Sequence, residues 1–102
     1  MKVNFRELKT IIKLVKDSTY PDLLARVSVK LIDDLERFFV VNGFTIRKSM
    51  YDGKPYLAAP TKKSGTGYFK FTLIDSSISK EIEREALSEY EDASIPIIED
   101  EK

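Results

Sequence analysis

The sequence predicts an α+β domain: a twisted antiparallel sheet of four to five strands with one C-terminal helix. Three observations lead there. Short runs rich in apolar, β-branched and aromatic residues recur between Leu24 and Leu73, separated by the polar Asp33-Asp34-Leu35-Glu36, by Asp52-Gly53 and by Pro60. From Ser77 to Tyr90 the spacing turns helical, with Ile78, Ile82, Ala86 and Tyr90 four apart and Leu87 beside them. A chain of 102 residues makes one domain, with a core thin enough that pairing with a second copy would help it.

Residues 2–16 permit two readings. As a strand, Ile12 and Leu14 share one face and Ile11 and Val15 the other. As a helix, Phe5, Leu8, Ile12 and Val15 align, and Asn4 with Glu7 forms a capping box. Tyr20-Pro21-Asp22 reads as a turn. Leu24 to Leu31 alternates as a strand, with Ala25, Val27, Val29 and Leu31 on one face and Arg26, Ser28 and Lys30 on the other.

After the polar connection Asp33-Asp34-Leu35-Glu36, Phe38 to Lys48 is a second strand. Asn42-Gly43 within it is either a hairpin turn or a bulge. Tyr51-Asp52-Gly53-Lys54 is a turn, and Tyr56 to Ala59 and Tyr68 to Leu73 are further strands. Pro60 lacks the N–H that a central strand donates, so it marks a strand end or an edge. Lys62 to Gly67 then forms an exposed loop. Ser76 or Ser77 is the helix N-cap. The domain spans 1–91. Ser94-Ile95-Pro96 breaks the helix, and 92–102 is an acidic, disordered tail.

Histidine and cysteine are absent, which removes His-based triads, thiol nucleophiles, zinc fingers and disulfides. No acid–base pair stands out, so the expectation is a protein that is not an enzyme and needs no cofactor. Glu81, Glu85 and Glu89 line one helix face, but carboxylates one turn apart bind cations weakly without a second element. They read as a solvated face, and no metal is expected. No run approaches the roughly 20 apolar residues of a membrane span. The N-terminus lacks a signal-peptide layout. The expected location is cytoplasmic.

Net charge is zero, yet unevenly placed. Residues 1–75 hold 14 Lys+Arg against 8 Asp+Glu, a net of +6, and residues 76–102 hold 3 against 9, a net of −6. The basic body suits a polyanion, while the acidic end suits a protein partner.

Pro55-Tyr56-Leu57-Ala58-Ala59-Pro60-Thr61-Lys62-Lys63, a Gly-containing loop, a strand, Ser-Ser and a terminal helix follow one another in an order that resembles the SpoVG family of septation and sporulation regulators. Ala25, Ser28, Val29 and Leu31, then Phe39-Val40-Val41, then Ile82, Leu87, Glu89 and Tyr90 extend the likeness over roughly Leu24 to Tyr90. Ala59 stands where that family has Met, and Thr72-Leu73-Ile74 where it often has His-Pro. The resemblance implies a strand near the N-terminus, a bulge at Gly43, a homodimer, and regulatory binding of DNA and/or RNA.

Lys62 and Lys63 occupy the positions of that family's Lys-Arg pair. Arg47 and Lys48 end the preceding long strand and Lys54 lies in the next turn, so the five together are the expected phosphate contacts. If the strands pair as in the family, Lys48, Lys54, Lys62 and Lys63 cluster at one end of the sheet. The helix is too acidic to lie on phosphates, so contacts come from the loops. Tyr51, Tyr56 and Tyr68 flank the same loops, either as base-stacking rings or as sheet-edge packing. The tail, with Ile95, Ile97 and Ile98, either docks on another protein or covers the basic patch.

Overall fold

The computed structural model describes residues 3–16, 19–65, 67–70 and 72–94. The N-terminal segment is a strand: β1 runs Phe5–Leu14. β2 is Leu23–Asp33, β3 is Phe38–Lys48 and β4 is Pro55–Ala58. They form one antiparallel sheet in the order β1-β2-β3-β4, curled into a half-barrel. A second, two-stranded antiparallel sheet joins β5, Thr61–Ser64, to β6, Gly67–Lys70. One helix, α1, Ser76–Ser94, completes the α+β fold.

The curl has a local origin. The ladder shifts register between Phe5 and Glu7, between Leu23 and Ala25, and between Val27 and Val29. Each shift is an extra residue on one strand, which bends that strand and increases its twist. The third is the Asn42-Gly43 bulge, where β3 spends two residues opposite Ser28, and Gly43 takes a φ of +99°. β3 continues through it without a hairpin.

Inside the curl, Ala25, Val27 and Val29 of β2 and Phe44 and Ile46 of β3 are buried against Ile82 and Ala86 of α1. Leu8, Ile12, Leu57, Leu87 and Tyr90 pack around them. α1 begins one residue earlier than its periodicity indicates and ends at Ser94 rather than Tyr90. Its cap is Asp75, not a serine: the Asp75 carboxylate accepts from the Ser77 N–H at 3.1 Å and from the Ser77 hydroxyl. Ile78, in the first turn, lines a cavity with Phe5 and Phe39 and is 42% exposed. Residues 95–102, which include most of the expected tail, lie outside the described residues.

Candidate nucleic-acid interface

The five cations expected from the sequence stand on three elements: Arg47 and Lys48 at the end of β3, Lys54 in the turn that follows, and Lys62 and Lys63 on β5. Arg47 is tied down at the surface: its guanidinium donates to Asp22 at 3.0 Å and to the Thr45 hydroxyl at 3.3 Å. A charge neutralised this way is a poor phosphate contact. Lys48 and Lys54 flank the β3–β4 turn, where the Ser49 N–H donates to the Lys54 carbonyl at 2.9 Å and Gly53 takes φ +72°. Both side chains are exposed there.

Lys62 and Lys63 lie elsewhere, and in a strand rather than a loop. β5 pairs with β6 alone among the described residues, with Lys62 opposite Phe69 and Lys63 opposite Tyr68. The chain leaves the main sheet at Pro60 because proline cannot continue the ladder, and it reverses at Gly65, φ +61°. Lys62 is exposed; the Lys63 side chain is outside the described residues. The ribbon is rooted beside Gly43, about 17 Å along β3 from Lys48. Lys62 and Lys63 thus belong to the two-stranded sheet, and Lys48 and Lys54 to the turn of the main one.

The structure gathers a different set. α1 covers one face of the sheet and leaves the other open, and on that face Lys9 stands directly opposite Lys30 and Lys13 opposite Arg26. Ile11 and Ser28 lie between the two pairs. Lys9, Ile11, Lys13, Arg26 and Asn42 are exposed. The pairs are four residues apart along each strand, about 13 Å. Glu7 reaches Lys9 at 3.7 Å, whereas Lys13, Arg26 and Lys30 have no carboxylate partner among the described residues. The Lys30 ammonium sits 4.3 Å from the centre of the Phe38 ring. Tyr56, opposite Arg47 at the other end of this face, is 41% exposed.

The alternation of Arg26, Ser28 and Lys30 against a buried Val27 and Val29 is the sequence signal that these side chains share the outer face. Their pairing with Lys9 and Lys13 is invisible without the register, because β1 alone reads equally well as a helix.

Fold and site together define a class: a half-barrel sheet with a helix on one face and a cationic surface on the other. Comparison of the chain with protein-family models, with curated proteins and with solved structures returns no match. Among the described residues no helix is long and apolar enough to cross a membrane.

Proposed function

We propose that this protein is a non-catalytic, nucleic-acid-binding regulator that acts as a homodimer. The observation that carries the reading is the pair of like-charged cross-strand contacts, Lys9 with Lys30 and Lys13 with Arg26. Like charges directly opposed in a sheet destabilise it. Nothing among the described residues relieves the Lys13–Arg26 pair, whereas a phosphodiester backbone does so and releases counterions as it binds. Lys62 and Lys63, on the ribbon rooted at the same bulge, extend the contact.

The dimer reading is supported by the end of the sheet beside the first turn of α1. Phe5 and Phe39 form an edge-to-face pair there, 52% and 47% exposed, with Leu73 and Ile78 exposed nearby. So many exposed large apolar residues at one end mark an association surface. The resemblance in motif order to the SpoVG family supports the same assembly and the regulatory role.

The test is a titration of DNA and RNA at two salt concentrations with two variants. Lys13→Glu with Arg26→Glu weakens binding and flattens its salt dependence, and Lys62→Glu with Lys63→Glu does so to a lesser degree. Wild-type affinity in the first variant refutes the site.

A protein-interaction module is the second reading. Glu83, Glu89, Glu91 and Asp92 of α1 are exposed and carry no cation partner among the described residues, which suits a basic partner protein. Loss of a co-purifying protein on reversing Glu89 and Glu91 to lysine, with nucleic-acid binding absent throughout, favours it.

A further inference from the structure

The β3 bulge opens a groove of about 330 Å³ in the cationic face, bounded by Ile11, Lys13, Arg26, Ser28, Asn42 and Thr45. We infer that this groove is a nucleotide subsite that receives one unstacked base of a single-stranded nucleic acid while the flanking phosphates rest on the two cation pairs. The inference rests on the nucleic-acid reading above and names the form of nucleic acid that the face takes.

Position supports it. Ile11 and Ser28 lie two residues from each cation pair, about 7 Å either way, so a strand crossing the face meets cations before and after the groove. Chemistry supports it as well. Ile11, 55% exposed, offers an apolar surface, and Gly43 adds backbone without a side chain. On the polar side, Asn42 Oδ1 accepts from the Ser28 hydroxyl at 2.6 Å. That bond engages Oδ1 of an exposed side chain, and the amide N–H groups, which have no acceptor among the described residues, remain for base acceptors. Phe38 and Tyr56 stand exposed at the two ends of the face, about 30 Å apart along β3, and offer rings to bases beyond the groove.

A duplex cannot use this arrangement. Its bases stay stacked with their edges at the floor of a groove, out of reach of a shallow depression in a sheet. A single strand splays its bases outward. Charge, apolar floor and flanking rings occur together in single-strand sites, where phosphate attraction and stacking combine.

Fluorescence anisotropy with an oligonucleotide of about 12 residues tests this, as single-stranded DNA, as single-stranded RNA and as a hairpin duplex of the same sequence. The expected result is single-strand binding tighter than duplex binding by about fivefold or more. Asn42→Ala should weaken single-strand binding by about three- to tenfold and leave duplex binding unchanged. Preference for RNA over DNA, or the reverse, is compatible with the subsite and identifies its natural ligand. Equal affinity for duplex and single strand, or an Asn42→Ala protein indistinguishable from wild type, overturns the subsite and leaves the broader reading standing. Absence of binding to all three overturns both.

Discussion

Gly43 and Pro60 are in contact at the bulge of β3: a methyl group added at position 43 would meet Pro60 Cβ at 3.2 Å. Gly43 also needs φ +99°, a conformation that side chains rarely adopt. The two residues thereby fix the bulge, the groove beside it and the root of the β5–β6 ribbon. Gly43→Ala should destabilise the fold by about 1–3 kcal/mol, from backbone strain and the displaced proline. Chemical denaturation checks the loss, and an unchanged midpoint would refute the contact.

Arg26→Glu separates binding from folding. It turns the repulsive Lys13–Arg26 pair into an attractive one, so the unfolding free energy should rise by about 0.2–1 kcal/mol. Affinity for nucleic acid should fall in the same protein, because one cation becomes an anion on the contact face. Loss of both stability and affinity would assign Arg26 a structural role instead.

The Thr10 hydroxyl lies buried on the helix side of β1 with no hydrogen-bond partner among the described residues. Thr10 stands opposite Val29, whose side chain is in the core. Thr10→Val should stabilise the protein by about 1 kcal/mol, since an unpaired buried hydroxyl costs its desolvation. A lower melting temperature in that variant would show that the hydroxyl has a partner in solution.

Acid should unfold the protein partly through Asp33. Its residue is 3% exposed, and burial alone would push the carboxyl up. The N–H groups of Arg37 and Leu35 and the Arg37 guanidinium, 2.7 Å away, outweigh burial and hold it below the ordinary aspartate value. A depressed folded value means stability that is present above the unfolded value, near 3.9, and lost as pH falls through the folded one. Urea midpoints should therefore fall below about pH 4 in wild type. In Asp33→Asn the midpoint should be lower at neutral pH and its acid limb shallower. A parallel acid limb in both proteins would remove Asp33 from the account.

Much of the fold was legible because it is written in short periods. Val27 and Val29 alternate with Arg26 and Ser28, so a half-buried strand follows directly. Ile82 and Ala86 recur one helical turn apart, so the buried stripe of α1 does too. The site was less legible. Lys62 and Lys63 stand out as neighbours in sequence, yet the chain carries them onto a separate ribbon. Arg47 looks free until Asp22, 25 residues earlier, is seen to hold it.

By itself, the sequence determined the α+β class, the helix, the turn at Asp52-Gly53, and which side of β2 is apolar, because those depend on neighbours within a turn or a strand. The strand at β1 and the bulge at Gly43 were expected from the family resemblance; only the tertiary structure decided that the lysines of β1 face the cations of β2 and that the bulge opens a groove between them. Those facts depend on register between segments distant in the chain. A shift of one residue turns every side chain of a strand to the opposite face, so no local pattern encodes which charges meet.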